Sequence, residues 1–106
     1  MERGGRAAIT TSAPRYERGD PIVVEWSGGP GNRYDWLSLT RNCFDPTTCA
    51  LRQWRYVDGR AHGRARFTRG SEGVWPVRAG RYAVSLCIDD DYRCVATSEV
   101  FRVVRA

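Results

Sequence analysis

The sequence predicts an all-β fold, an antiparallel sandwich of about seven short strands, on three observations. Apolar and polar residues alternate with a period of two in run after run, as at Ile22, Val24 and Trp26. Glycine, proline and aspartate interrupt these runs at the roughly 8–12-residue spacing of small sandwiches. No stretch carries helical periodicity, and no unit repeats.

At 106 residues the chain is one domain, large enough for its own core. Residues 1–6 are polar and glycine-bearing, a lead-in with no apolar run after it, so they do not read as a signal peptide. Residues 7–12 suit a first strand, stopped by Pro14. Residues 16–21 form a turn around Gly19-Asp20. In the second strand Ile22, Val24 and Trp26 face inward, while Val23, Glu25 and Ser27 face out.

A loop with three glycines and Pro30 follows, over residues 27–34. Residues 35–41 make the third strand, with Leu37 and Leu39 on one face and Trp36, Ser38 and Thr40 on the other. Residues 42–49 are a loop. Residues 51–57 are the fourth strand, with Arg52, Trp54 and Tyr56 on one face, closed by the turn dipeptide Asp58-Gly59. Ala65 and Phe67 alternate with arginines in a half-buried strand over residues 63–69, and residues 70–76 are irregular. Tyr82, Val84, Leu86 and Ile88 line one face of the sixth strand. A hairpin, Asp89-Asp-Asp-Tyr-Arg93, leads into the last strand, residues 94–104.

The charge is +5, from seventeen arginines and no lysine against twelve acids. The absence of lysine reads as codon bias rather than as a binding device, although the excess charge favours anionic partners at low salt. Arg52, Arg55, Arg60, Arg64, Arg66 and Arg69 are interleaved with aromatic residues. That pattern is found in single-strand nucleic-acid binders, but alternating arginine is more simply the wet face of a strand. No apolar run is long enough to insert in a membrane.

Four cysteines, Cys43, Cys49, Cys87 and Cys94, lack zinc-site spacing and read as disulfides formed in an oxidising compartment. His62 is the lone histidine, and no nucleophile motif or metal cluster accompanies it, so no enzyme is expected.

The ordered series Trp26-Ser-Gly-Gly-Pro-Gly-Asn32, Asp35-Trp-Leu-x-Leu39, Trp54-x-Tyr56, Gly63-x-x-x-Phe67, Gly80-x-Tyr-x-Val-x-Leu86, Asp91-Tyr92 and Ala96-x-Ser98-x-x-Phe101 resembles the immunoglobulin-like accessory domain of bacterial secreted phosphoesterases and related proteins, with a layout similar to the SKICH domain. Tyr82, just after a glycine at the start of the penultimate strand, resembles a tyrosine corner. The resemblance implies a non-catalytic binding module of a longer exported chain, extracellular or periplasmic, or else a spacer or a carbohydrate-binding module. The family's Asp-Gly-Tyr is here Asp90-Asp91-Tyr92, and the cysteines are additions to its pattern.

In such a topology Cys43 and Cys49 fall at one pole and Cys87 and Cys94 at the other. Local pairs follow, because a cross pair would exceed the ~7 Å limit on Cα separation. Each is expected to contribute about 2.5 kcal/mol in the chain-entropy model. The same topology gathers the glycine loop and the acidic hairpin at one pole. Asn32, Arg33, Asp35, Asp89, Asp90, Asp91 and Tyr92 there are candidate ligand-binding residues. Trp36, Trp54 and Tyr56 form either a platform on the adjoining sheet face, for a glycan or a protein, or part of the core. Asp35 and the three hairpin aspartates are the one possible calcium cluster, but they lack an EF-hand spacing, so no cofactor is expected. Non-reducing peptide mapping should find no free thiol and the links Cys43–Cys49 and Cys87–Cys94; a Cys43–Cys87 link would overturn both pairing and topology.

Overall fold

A computed structural model describes residues 7–41, 50–70 and 72–105. The lead-in and the loop with Cys43 and Cys49 lie outside the described residues. The strands are β1 (Ala8–Thr11), β2 (Arg15–Glu17), β3 (Ile22–Ser27), β4 (Trp36–Arg41), β5 (Ala50–Tyr56), β6 (Gly63–Phe67), β7 (Glu72–Gly73), β8 (Gly80–Cys87), β9 (Cys94–Thr97) and β10 (Phe101–Val104). They form two sheets. One runs β1-β3-β6; the other runs β2-β10-β8-β4-β5-β7, with β9 also paired to β8.

The apolar faces of both sheets contribute to a single core. Ile9, Ile22, Val24, Trp26 and Phe67 enter it from the smaller sheet, and Leu37, Leu39, Tyr82, Val84, Leu86, Phe101 and Val103 from the larger. The alternation in β3 is as expected: Ile22, Val24 and Trp26 are buried, while Glu25 and Ser27 are exposed. Its physical basis is that one face of β3 meets apolar side chains and the other meets water.

Several expectations need correction. The segment expected to be a turn from Tyr16 contains β2, which pairs in parallel with β10, so the larger sheet is not purely antiparallel. A short β7 occupies part of the stretch expected to be irregular. The expected last strand is two strands, β9 and β10, along the same edge of β8. Between them Ser98 takes over from the ladder, its Oγ accepting the Val84 N–H at 3.0 Å and its own N–H bonding Val84 O at 2.8 Å. Ten strands therefore stand among the described residues where about seven were expected.

Tyr82 closes the start of β8, its hydroxyl donating to the Arg78 carbonyl at 2.6 Å. That is the bond expected of a tyrosine corner. The Asp58-Gly59 turn forms as expected, with both residues at positive φ and Arg60 N bonded to Val57 O. Trp26 and Gly63 face each other across β3 and β6. A Cβ on Gly63 would lie 2.9 Å from two Trp26 ring carbons, so the indole occupies the space that a larger residue would need.

Gly63→Ala should therefore destabilise the domain by about 1–3 kcal/mol, the range for overpacking a core. In a Trp26→Leu background the same change should cost much less, as coupled neighbours do not add. Equal costs in the two backgrounds, measured by urea unfolding, would show that the indole is not what excludes the side chain.

Candidate functional site

The glycine loop and the acidic hairpin meet at one pole. β4 and β8 place them there, because Trp36 at the start of β4 pairs with Cys87 at the end of β8. The disulfide Cys87–Cys94 links the two strands that flank the hairpin. Within the hairpin Asp89 and Asp90 both take positive φ, at 55° and 59°, and Asp91 N bonds Ile88 O. This tight turn is a conformation that aspartate tolerates better than most side chains.

Asp35 joins the two loops. It is 1% exposed, and its carboxylate accepts the Asn32 N–H at 2.8 Å and the Asp89 N–H at 3.1 Å. A second tie runs from Asp90 N to Tyr34 O at 2.9 Å. Trp36 completes the junction by donating its Nε1–H to the Asp91 carbonyl at 2.9 Å. Asn32, Asp35 and Asp89 thus hold the pole together with backbone bonds, and the Asp91 carboxylate accepts the N–H of Tyr92 at 2.7 Å. Among the described residues no group of His, Cys, Asp and Glu is placed to hold a metal ion.

A cleft of about 260 Å³ lies beside this junction, on the face of the larger sheet that points away from the core, lined by Trp36, Leu51, Trp54, Tyr56, Asp90 and Tyr92. Five of the expected candidates come together here. Trp36 is buried, yet it lies outside the apolar core and forms a wall of the cleft. It is neither an open platform nor a core residue.

The rings stand at steep angles to one another. Trp36 and Tyr92 meet edge to face at 5.7 Å, and Trp54 and Tyr56 at 5.1 Å. Tyr34 continues the row from Tyr56 at 5.7 Å, and the Arg33 guanidinium lies 5.5 Å from the centre of its ring. Arg33 therefore sits at the end of the row and not in the cleft.

Arg52, expected beside Trp54, does not line the cleft. A register shift between Leu39 and Thr40 interrupts the β4–β5 ladder, and Leu51 occupies the place that strict alternation would give to Arg52. Sequence reasoning also missed Tyr34 as a neighbour of the row. Its signal was present in the Asn32-Arg-Tyr-Asp35 turn, but nothing local showed that its ring would reach Tyr56.

Asp90 is the acidic group of the cleft. Its Oδ1 accepts the Tyr56 hydroxyl at 2.8 Å. This bond, with weaker contributions from burial and from the negative charge of Asp90, raises the Tyr56 pKa above its ordinary 10.0. Among the described residues no cationic side chain lines the cleft. The arrangement offers apolar ring faces and edges beside one strong hydrogen-bond acceptor. No family model matches the chain, and neither does any curated protein.

Because the folded state holds the Tyr56 proton more tightly than the unfolded chain, this bond stabilises the domain fully below pH 10.0 and is lost as pH rises through the higher folded value. Tyr56→Phe should therefore flatten the alkaline limb of a stability–pH curve. An unchanged alkaline limb would show that the Tyr56–Asp90 bond contributes nothing there.

Proposed function

We propose that this domain is a non-catalytic binding module of a larger exported protein, built as an immunoglobulin-like sandwich, and that it takes its ligand in the aromatic cleft. The observation that carries this reading is the cleft itself, where two tryptophans and two tyrosines surround one carboxylate on the outer sheet face. The strand order, the Tyr82–Arg78 bond and the loops meeting at one pole support the immunoglobulin-like assignment. The Cys87–Cys94 bond supports export, since disulfides persist in oxidising compartments.

A sugar ring is the ligand that the cleft fits best. Its C–H faces would pack on Trp54 and Tyr92, and its hydroxyls would donate to Asp90. The hairpin is already held by its disulfide and by Asp35, which reduces the ordering cost of binding, roughly 0.5–1.5 kcal/mol per immobilised side chain.

A glycan array followed by tryptophan fluorescence titration tests the reading. Trp54→Ala and Asp90→Ser should each weaken the best glycan at least about tenfold, one tenfold step being 1.4 kcal/mol. Trp54→Ala should melt close to the parent, and Asp90→Ser should stay folded while losing the Tyr56 hydrogen bond. If no glycan or protein binds, or if both variants bind as the parent does, the domain is better read as a spacer that positions a neighbouring domain.

A further inference from the structure

The pole opposite the aromatic cleft carries a second, chemically different concavity. A cleft of about 800 Å³ is lined by Arg18, Arg41, Pro76, Arg78, Ala79 and Arg105. Its four arginines come from four separate segments: the turn after β2, the end of β4, the approach to β8, and the end of β10. Among the described residues no acidic side chain lines it. Like charges repel when gathered, and an anion seated among them removes that cost.

Two of the guanidinium groups are held in place by backbone carbonyls. Arg18 donates through Nε to Val77 O at 3.2 Å, and Arg41 through Nη2 to Ala79 O at 3.2 Å. Each of these bonds uses one nitrogen of a five-donor fork, so further donors remain in a fixed orientation. Arg41 Nε, packed over Gly80, is shielded from solvent and has no hydrogen-bond partner among the described residues.

The Tyr82 hydroxyl reports the same field from inside the fold. Burial raises its pKa, and Arg41, Arg52, Arg18 and Arg78 act against that rise. Three of these four line the cleft.

We infer that this cleft is an oxyanion site that takes a phosphate or sulfate group, either free or as an ester on a polymer. Guanidinium forks match the oxygen spacing of such groups, and charge-assisted bonds of this kind are among the strongest that a protein makes. A neutral ligand would leave the convergent charge uncompensated. A divalent cation would meet four positive groups.

The test is titration of the domain at low salt with inorganic pyrophosphate and, separately, with dextran sulfate, following binding heat and melting temperature. Pyrophosphate should bind saturably and raise the melting temperature, and the affinity should fall as salt is added. The double variant Arg18→Gln, Arg78→Gln alters two exposed side chains and should fold as the parent does. It should bind at least about tenfold more weakly, a step of 1.4 kcal/mol. The control Arg60→Gln, Arg64→Gln, at the other end of the molecule, removes the same charge and should bind as the parent does. Binding of dextran sulfate alone, lost only in the first variant, would support the site and assign it to a polymer ester. Equal weakening in the two variants would reveal attraction to net charge alone, and absence of any binding would equally overturn the inference.

Discussion

A carboxyl group buried at a junction of loops destabilises a protein unless its oxygens are hydrogen-bonded, and Asp35 meets that condition in a way that fixes much else. One oxygen takes the N–H of Asn32 and the other the N–H of Asp89, so a single side chain sets the distance between the glycine loop and the hairpin. The Asp35 carbonyl also accepts from Val57 N at 3.0 Å, which brings in the residue that follows β5. Trp36 follows Asp35 directly, and its indole is therefore delivered to the wall of the cleft. The position of Asp90 opposite Tyr56 depends on the same bracket, because Asp89 is its neighbour in the turn. The aromatic cleft is thus set from behind by a residue that does not line it.

What could be read from the sequence follows from how asymmetric each strand's surroundings are. β3 was legible because one face is dry and the other wet, so its alternation carries the answer. β4 was not, since Trp36, Leu37, Ser38, Leu39 and Thr40 are all buried and both faces are covered. Alternation separated its two faces correctly but gave no means of telling which faced the core, and Trp36 was left between two readings. The place of Arg52 was lost for another reason. A bulge breaks the assumption of strict period two, and a bulge of this kind leaves no mark in composition. β2 was hidden because three residues between Pro14 and Gly19 carry more turn signal than strand signal.

The two clefts differ in how far sequence reasoning could reach them. Residues of the aromatic cleft fall in neighbouring strands and in loops whose meeting the topology implies, so they could be assembled from the order of strands alone. Arg18, Arg41, Arg78 and Arg105 are scattered over the whole chain, and nothing in any window around them sets them apart from the other arginines. Only folded proximity distinguishes these four. The arginine-rich strand expected over residues 63–69 and conspicuous in the sequence is β6, Gly63–Phe67. Arg64 is exposed beside Glu25 at 3.8 Å, an arrangement that contributes little to stability.

The parallel pairing of β2 with β10 has a mechanical consequence. These strands lie near opposite ends of the chain yet run in the same direction, with Arg15, Tyr16 and Glu17 beside Arg102, Val103 and Val104. Tension applied through both ends of the chain would pull two adjacent parallel strands in opposite senses along their length. Their hydrogen bonds would then be loaded together in shear, whereas an antiparallel pair pulled from one end opens one bond at a time. Tyr16 adds a ring locked edge to face against Phe101 at 5.6 Å, so sliding must also drag an aromatic contact out of register. Built into a longer chain and pulled from both sides, this domain would carry a stretching force in shear through that patch.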